Sequence, residues 1–202
     1  MKFATPKPFS QSSEENKTVI FESIHPYLAN KSSVLEIASG TGQHAVYFSS
    51  QLPHLTWQTS DLIESHSGIC QWLDEADLPN IHRPVELNVS ESQWPDCKYD
   101  AVFSANSFHI MSQQNVVDFF ANIADVLQEG AHVLIYGPFN YNNAFTSESN
   151  ANFDVWLKHR NPQSGIKDFE WCHQLAMDAG LILENDIEMP VNNRILVWSK
   201  SE

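Results

Sequence analysis

Cysteine is scarce in this chain of 202 residues. Only Cys70, Cys97 and Cys172 occur, far apart and with no Cys-x-x-Cys pair. This odd number and wide spacing exclude a disulfide framework and the ligand spacing of structural zinc sites. Each cysteine is therefore interpreted as a small apolar residue in a reducing compartment, so we expect a cytoplasmic protein that uses no metal.

Positive charge is also scarce. The chain has 11 Lys and Arg against 25 Asp and Glu, which gives a formal net charge of −14 at pH 7. A surface this negative repels the phosphate backbones of DNA and RNA and the headgroups of anionic membranes. We therefore expect neither a nucleic-acid partner nor a membrane partner. The sequence leaves the oligomeric state open.

Long apolar runs are missing. No segment approaches the roughly 18 apolar residues of a membrane span, and the first residues, Met1 to Pro8, lack the apolar part of a secretory signal. Hydrophobic residues nevertheless make up 42% of the chain, enough for one substantial core. We expect a single domain over 1–202, with 1–13, rich in Pro and Ser, lying loosely on the surface.

From Ser13 onward, helical and strand-like periodicities alternate. Because the strand segments are apolar on both faces, they predict a mostly parallel sheet covered by helices, that is, an α/β domain. Two closing strands, joined by a turn at 190–193, add an antiparallel hairpin. Strands are predicted at 34–38, 54–60, 84–89, 99–105, 132–136, 181–188 and 195–198; helices are predicted from Ser13, over 45–52, 63–76 and 116–127 (stopped by Gly130), and over 168–179.

Residues 137–167 have a different composition. They are rich in Asn, Ser, Pro and aromatic residues, and their periodicity is weak, although 153–159 is compatible with a short helix. A segment this long within a compact domain is usually functional. We expect it to form a lid over a substrate.

The turn after the first predicted strand carries two glycines, Gly40 and Gly42. Glycines at such a turn let the backbone approach a ligand closely, at the sheet edge where α/β proteins bind ligands. Asp61 lies 19 residues after Gly42, at the end of the second predicted strand. An acid there accepts hydrogen bonds from both hydroxyls of a ribose, so the pattern predicts a nucleoside-containing ligand. The alternative for Asp61 is an N-cap of the next helix.

Two cofactors fit this turn. The pattern Gly40-x-Gly42-x-x-Ala45 matches the dinucleotide fingerprint of a nicotinamide oxidoreductase. Glu36, however, lies in the strand just before the turn, where its charge repels a pyrophosphate and attracts a cation. S-adenosylmethionine carries both an ammonium and a sulfonium. The pattern Glu36-x-Ala38-x-Gly40-x-Gly42 is also the motif of class I methyltransferases, which the closing hairpin suits better than a dehydrogenase.

The chain as a whole resembles an uncharacterised family of methyltransferase-like proteins, domain of unknown function 938, the family of methyltransferase-like protein 26. The blocks that carry the resemblance are Leu35-Glu36-Ile37-Ala38-Ser39-Gly40-Thr41-Gly42-Gln43-His44, Trp57-Gln58-Thr59-Ser60-Asp61, Asn106-x-x-His109-Ile110, Tyr136-Gly137-Pro138-Phe139, Thr146-Ser147-x-Ser149-Asn150-x-x-Phe153-Asp154, Arg160-Asn161-Pro162, Gly165-Ile166-Lys167-Asp168 and Met189-Pro190-x-Asn192-Asn193. Ser164, Lys167 and Asn143 depart from the family pattern, which tends to have Trp, Arg and Gly there. The resemblance implies the Rossmann-like class I methyltransferase fold, with a seven-stranded sheet and helices on both faces, and S-adenosylmethionine as cofactor.

We expect several residues to bind the cofactor. Gly40 and Gly42 would face its methionyl and ribose parts, Glu36 its ammonium and Asp61 its ribose. The remaining cofactor-binding candidates are Ala38, Ser39, Ser104, Leu62 against the adenine, Asn88 and Val89 near the adenine amino group, Asn16 and Lys17 closing from the first helix, and His44, alternatively a contact at the helix start. Asn88 and Val89 are alternatively an ordinary strand end, and Lys17 a solvated lysine.

The acceptor side is expected after the fourth and fifth strands. Asn106, His109 and Tyr136 are the candidate catalytic residues, with His109 as a general base because a histidine pKa can lie near 7. Phe139, Asp154 and Arg160 are candidate substrate residues. Arg160 either grips a substrate carboxylate or pairs with Asp154 or Asp168.

These residues lead to two hypotheses. The first is methyl transfer to a small-molecule acceptor by in-line displacement, with the protein aligning the reactants and excluding water. The second is a protein that binds S-adenosylmethionine or S-adenosylhomocysteine without turnover. The nicotinamide oxidoreductase is a weaker third hypothesis.

Overall fold

The computed structural model describes residues 6–91 and 93–201. The chain divides into two compact units, the first ending at Leu87 and the second beginning at Asn88. That the chain acts as a single domain stays a prediction.

The first unit alternates helices and strands. Its elements are α1 (Gln11–Leu28), β1 (Ser33–Ile37), α2 (Gln43–Gln51), β2 (Thr56–Asp61), α3 (Ile63–Ala76) and β3 (Ile81–Glu86). The three strands pair in parallel, with Glu36 opposite Thr59 and Asp61 opposite Glu86. Parallel pairing brings the carboxyl ends of β1 and β2 to the same edge of the sheet.

The second unit holds the remaining strands. Its elements are β4 (Tyr99–Ala105), α4 (Gln113–Ile123), a 3₁₀ turn (Ala124–Val126), β5 (Leu127–Gly137), β6 (Phe139–Asn140), α5 (Glu148–Arg160), β7 (Lys167–Asp168), α6 (Phe169–Asp178), β8 (Leu181–Met189), a second 3₁₀ turn (Pro190–Asn192) and β9 (Asn193–Lys200). β4 and β5 are parallel, whereas β9 is antiparallel to both β5 and β8. The short strands β6 and β7 form a separate parallel pair.

The seven long strands have the order β3-β2-β1-β4-β5-β9-β8. This is the mostly parallel, helix-covered sheet with a C-terminal antiparallel hairpin that the sequence predicts. The α/β, Rossmann-like fold is therefore confirmed.

Aromatic side chains fill the core of each unit. In the first unit the rings of Phe48 and Trp57 are 5.6 Å apart, and both side chains are fully buried. In the second unit Phe108 makes edge contacts with Phe119 at 5.1 Å and with Phe120 at 5.8 Å. Burial of each such ring contributes about 1.5–3 kcal/mol to folding.

Several element bounds differ from the sequence prediction. α3 and β4 have the predicted bounds, but β3 ends at Glu86, so Asn88 and Val89 lie beyond it. Gly130 lies inside β5 and does not end α4, because β5 begins at Leu127. Within the predicted lid, α5 starts five residues before the predicted helix, because Ser147 caps it by accepting a hydrogen bond from the Asn150 N–H at 3.1 Å.

The N-terminal segment is not loose in its described part. Pro8 packs on α3, where a Cβ added to Gly68 would lie 2.6 Å from the Pro8 Cγ. The Trp72 Nε1–H donates to the Pro8 carbonyl oxygen at 2.7 Å, and the Lys7 Nζ lies 3.7 Å from the centroid of the Trp72 ring. α1 begins at Gln11 rather than near Ser13, because the Ser10 side chain caps it. The expectation of a loose segment is corrected for residues 6–13.

Two features are absent from residues 6–91 and 93–201. No helix there combines the length and apolar character needed to cross a membrane. Within the same residues, no group of three or more His, Cys, Asp or Glu side chains could hold a metal ion.

Candidate active site

The loop between β1 and α2 has a left-handed backbone at three positions. The φ angles are 59° at Ala38, 60° at Gly40 and 89° at Gly42. A Cβ at Gly42 would lie 3.3 Å from the Ile69 Cα, so both conformation and packing require glycine there. A Cβ at Gly40 would meet no described atom within 4 Å, so this part of the loop is open to a ligand.

Glu36 is a buried acid directly before this loop. Its Oε2 accepts a hydrogen bond from the Trp57 Nε1–H at 3.1 Å, and no described Lys or Arg pairs with it. Burial raises the pKa of Glu36 to about 7; the Trp57 and Ser39 hydrogen bonds act against this rise and the charge of Asp61 adds to it. A ligand cation beside Glu36 would stabilise its ionised form.

Asp61 connects the end of β2 to the glycine loop. Its Oδ2 accepts from the Gly40 N–H at 2.7 Å, and its Oδ1 accepts from the Leu62 N–H at 2.7 Å. Leu62, not Asp61, is the N-cap of α3, and no side chain caps that helix. The N-cap alternative for Asp61 is therefore wrong. Because an ionised carboxylate has about four acceptor sites, two remain for a ligand's hydroxyls.

Serines brace the same edge of the sheet. The Ser60 Oγ–H donates to the Glu36 carbonyl oxygen at 2.6 Å, and the Ser60 N–H donates to the Ser39 Oγ at 3.1 Å. The Ser39 N–H in turn donates to the Ser60 carbonyl oxygen at 2.9 Å. Ser39, a predicted cofactor residue, therefore has a structural role in the loop. Ser60 stabilises the same loop and is not among the residues predicted from the sequence.

Of the predicted residues near the start of α2, His44 and Asn16 bind each other. The His44 Nε2 and the Asn16 Oδ1 are 2.7 Å apart, and the His44 ring stacks on Phe48 with centroids 5.4 Å apart. Burial, with a smaller effect of the Lys17 charge, lowers the pKa of His44 to about 4. His44 is thus a neutral contact at the helix start, the alternative that the sequence left open.

Lys17 is held by its own helix. It pairs with Glu14, and its Nζ lies 5.1 Å from the centroid of the Tyr47 ring. Gln43 completes this connection, because its Nε2–H donates to the Glu14 Oε2 at 3.3 Å and its Oε1 accepts from the Ser10 N–H at 2.6 Å. Glu14 and Gln43 were missed as site residues, although Gln43 directly follows the glycine motif.

The edge beyond Asp61 presents apolar side chains to solvent. Leu62 is 41% exposed and Ile63 is 59% exposed. Leu62 and Ile63 lie next to Asp61, the candidate for binding the ribose. Their exposed aliphatic side chains therefore suit the packing surface expected for an adenine.

Asn88 and Val89 begin the second unit. The Asn88 Oδ1 accepts from the Ser90 N–H at 3.2 Å, and its Nδ2–H donates to the Glu91 Oε1 at 3.1 Å. Val89 is buried. Asn88 therefore stabilises its own turn, and its expected contact with adenine stays a prediction.

The loop after β4 contains Asn106 in a left-handed conformation, with φ 57°. Its N–H donates to the Tyr136 carbonyl oxygen at 2.8 Å, while its side-chain amide has no hydrogen-bond partner among the described residues. The Ser104 and Ser107 hydroxyls, both buried, are 2.6 Å apart. Ser104 is thus part of the loop's internal bonding.

His109 is buried at 6% exposure, and its ring nitrogens bond to no described residue. Its ring makes an edge contact with Phe153 at 5.3 Å. Burial, helped by the positive charge of Lys167, lowers the pKa of His109 to about 4. The expectation of a pKa near 7 is corrected: His109 is a neutral imidazole with a free nitrogen lone pair.

Two of the aromatic candidates lie in the interior. Phe139 is fully buried and contacts the Phe108 ring at 6.3 Å. Tyr136 is almost fully buried in β5, opposite Ile195 of β9. Phe139 therefore packs the core, and its expected substrate contact is corrected.

Asp154 and Arg160 do not pair with each other. The Asp154 Oδ2 binds the Lys158 Nζ at 2.6 Å, and its Oδ1 accepts from the Ile166 N–H at 2.8 Å, so Asp154 holds the chain that follows α5. Arg160 is exposed and lies 4.7 Å over the Trp156 ring. Both pairings that the sequence offered for Arg160 are therefore wrong.

A family model described as "Protein of unknown function (DUF938)" matches residues 7–200. The chain belongs to the DUF938 family.

Three solved structures that are similar to this DUF938 chain are described as methyltransferases. An O-methyltransferase family protein from Burkholderia thailandensis superposes with a TM-score of 0.86 at 18% identity, covering 95% of this chain and 57% of that one. Human N-acetylserotonin methyltransferase, solved with S-adenosylmethionine, gives 0.79 at 12% identity, covering 95% and 53%. An O-methyltransferase family 2 protein from Planctomyces limnophilus, solved with apigenin, gives 0.73 at 14% identity, covering 83% and 50%.

The DUF938 chain spans a little over half the length of the first of these structures. At identities below 20% the likeness establishes the fold, which is that of class I methyltransferases. It does not transfer the acceptor, whose recognition depends on individual side chains.

Proposed function

We propose that this DUF938 protein transfers a methyl group from S-adenosylmethionine to a small-molecule acceptor. The observation that carries the proposal is Glu36, a buried acid with a pKa of about 7 and no cationic partner among the described residues. A site with this property selects a positively charged ligand and disfavours a pyrophosphate. The fold, shared with solved methyltransferases, supports the same ligand.

The residues of the first unit fit the cofactor. Glu36 would bind the ammonium, the two remaining acceptor sites of Asp61 the ribose hydroxyls, and Leu62 with Ile63 the adenine. The open face at Gly40 leaves room beside the backbone. Lys17 and His44 are already bonded to neighbours, so we assign them to positioning of α1 and α2 rather than to the cofactor.

Bound S-adenosylmethionine would supply an activated methyl group for in-line displacement. The protein then has to orient the acceptor, exclude water and receive a proton. We assign the proton to a ring nitrogen of His109, which is neutral above a pH of about 4, and the orientation of the acceptor to the free amide of Asn106. Tyr136 positions Asn106 through its carbonyl oxygen.

The acceptor class is proposed on two grounds. The net charge of −14 disfavours nucleic acid, and the relative from Planctomyces limnophilus was solved with apigenin, a small molecule. The number and spacing of the cysteines support the cytoplasm as the compartment.

The test is calorimetric binding of S-adenosylmethionine, S-adenosylhomocysteine and NADH, followed by a search for turnover with small acidic and phenolic acceptors. We expect the first two ligands to bind and NADH not to bind. Glu36→Gln should weaken binding at least tenfold while keeping a hydrogen-bond acceptor for Trp57. Glu22→Gln, a matched change at an exposed position of α1, should have no effect.

Three results would contradict the proposal. Binding of NADH alone would favour an oxidoreductase. Equal affinity of wild type and Glu36→Gln for the cofactor would show that Glu36 does not recognise it, and binding without turnover on any acceptor would favour a non-catalytic binding protein.

In His109→Leu, we expect unchanged cofactor binding and a loss of turnover of about 100-fold.

A further inference from the structure

The second unit contains a cavity that the proposed chemistry does not use. Its volume is about 530 Å³, and it lies where the N-terminal end of α4 faces the segment 162–167. Its lining includes Gln113, Gln114, Lys158 and Lys167. In a chain with only 11 Lys and Arg, two lysines at one cavity concentrate positive charge.

Lys167 is the central feature of this cavity. Only 5% of the residue is exposed, and its Nζ donates to the carbonyl oxygens of Met111 at 2.7 Å and Gly165 at 2.8 Å. No described carboxylate lies within ion-pair distance, and the third ammonium proton has no acceptor among the described residues. Burial lowers its pKa to about 8, so it stays mostly protonated at neutral pH. A buried cation with no direct ion-pair partner is costly, and a bound anion would offset that cost.

The first turn of α4 adds hydrogen-bond donors. The capping box uses the N–H groups of Ser112 and Asn115. The N–H groups of Gln113 and Gln114 cannot bond within the helix, and no described residue accepts from them. Two free donors at a positive helix end, together with a buried ammonium, form a complementary surface for an oxyanion.

Lys158 adds a second positive charge at this cavity. Its side chain is about half exposed and binds the Asp154 Oδ2 at 2.6 Å, while the Asp154 Oδ1 is bonded to the Ile166 N–H. One carboxylate therefore faces two ammonium groups, and the local balance stays positive.

We propose that this cavity binds the carboxylate or phosphate group of a small molecule. The volume accommodates a small organic acid or a phosphate ester. The inference stands on the second unit alone and does not depend on methyl transfer.

The test is an NMR titration of the full chain with inorganic phosphate and, separately, with acetate, at constant ionic strength set with NaCl. We expect the backbone amide signals of Gln113 and Gln114 to shift and saturate with at least one of the two anions. The identity of that anion distinguishes a phosphate site from a carboxylate site. If neither anion gives saturable shifts, the proposal is overturned.

A backbone variant isolates the helix donors. Gln113→Pro removes one N–H at the first helical position, where proline is well tolerated, and Ser112 already has the extended φ and ψ, −67° and 167°, that precede proline. We expect about tenfold weaker anion binding, read at Gln114. Unchanged affinity in Gln113→Pro would contradict the site.

Side-chain variants complete the test. Lys167→Met should weaken binding at least tenfold, whereas Lys98→Met, which removes an exposed lysine outside the cavity, should leave it unchanged. Equal weakening by both would mean that overall charge, rather than this cavity, attracts the anion.

Discussion

Polar side chains around the glycine loop of the first unit differ in their hydrogen bonding from two side chains that follow β4 in the second unit. In the first unit the polar groups around the glycine loop bond to one another: Asp61 binds Gly40 and Leu62, and His44 binds Asn16. In the second unit the side chains of Asn106 and His109 have no hydrogen-bond partner among the described residues.

The glycine loop is therefore a preformed site, whereas the site after β4 has polar side chains without partners among the described residues. Bonds within the first unit hold the loop ready for one ligand, which lowers the entropy lost on binding. The side chains of Asn106 and His109 in the second unit have donors and acceptors available to bind a further molecule. The first unit therefore indicates its ligand more clearly than the second indicates its own.

The largest expected change in unfolding free energy is at Gly42 in the glycine loop. Gly42→Ala combines a φ of 89° with a Cβ 3.3 Å from the Ile69 Cα. We expect a loss of about 3 kcal/mol of unfolding free energy, measured by urea denaturation. Gly130→Ala is the matched control, because its φ is 68° but no described atom lies within 4 Å of the added Cβ. It should cost about 1 kcal/mol; equal losses would mean that the loop is not tightly packed.

Glu36→Gln should stabilise the unliganded protein at high pH. Because the pKa of Glu36 is raised to about 7 in the folded state, from 4.5, folding favours the protonated acid. Stability conferred by Glu36 therefore falls as pH rises from about 4.5 to 7. We expect the variant to gain about 2 kcal/mol at pH 8 and almost nothing at pH 4, measured by urea denaturation. A gain at pH 8 no larger than that at pH 4 would show that Glu36 is not buried as an acid.

Substitution of His44 and of His109 by leucine should lower the unfolding free energy at pH 8 by different amounts. His44→Leu loses the hydrogen bond to Asn16 and should cost about 1 kcal/mol. His109→Leu loses no side-chain hydrogen bond to a described residue and should cost less than half of that. Equal costs in thermal or urea unfolding would contradict the contrast between the units.

Both histidine variants should become less sensitive to acid. The pKa values of His44 and His109 are lowered to about 4, from 6.5, so the unfolded chain takes up protons first as pH falls. Wild-type stability should therefore decline between pH 6.5 and pH 4. Each substitution should remove about 1–2 kcal/mol of that decline. A decline of the same size in the variants would mean that neither ring is buried and neutral.

The smallest effect is expected at Arg160. Its guanidinium lies over the exposed ring of Trp156 and forms no ion pair among the described residues. Arg160→Met should change the unfolding free energy by less than about 0.5 kcal/mol. It should also leave anion binding at the Lys167 cavity unchanged; a tenfold loss would place the anion at Arg160.

The sequence predicts the fold well because its signals are local. α3 and β4 have their predicted bounds since apolar spacing and nearby turn residues mark both ends. The sequence does not predict the start of α5 because residues 148–152 are polar apart from Ala151 and carry no helical apolar pattern. The sequence predicts the start of β3 at residue 84 rather than at Ile81, because His82 and Arg83 are exposed and polar.

The site was predicted in part. Glu36 and Asp61 follow from a motif, but the bonds of Gln43 to Ser10 and Glu14 join residues about 30 positions apart, for which the sequence gives no signal. The same holds for Lys167, whose partner Met111 lies 56 residues away. The sequence predicts Arg160, one of few cations, as a substrate residue. Arg160 is exposed, however, and the buried cation is Lys167.

The most direct test of the account is calorimetry of S-adenosylmethionine binding at pH 6 in two buffers with different heats of ionisation. Because Glu36 is mostly protonated there without a cation beside it, binding of a positively charged ligand should release most of one proton. That release should disappear in Glu36→Gln. Binding without proton release, or release unchanged in the variant, would contradict the claim that Glu36 recognises the cofactor's positive charge.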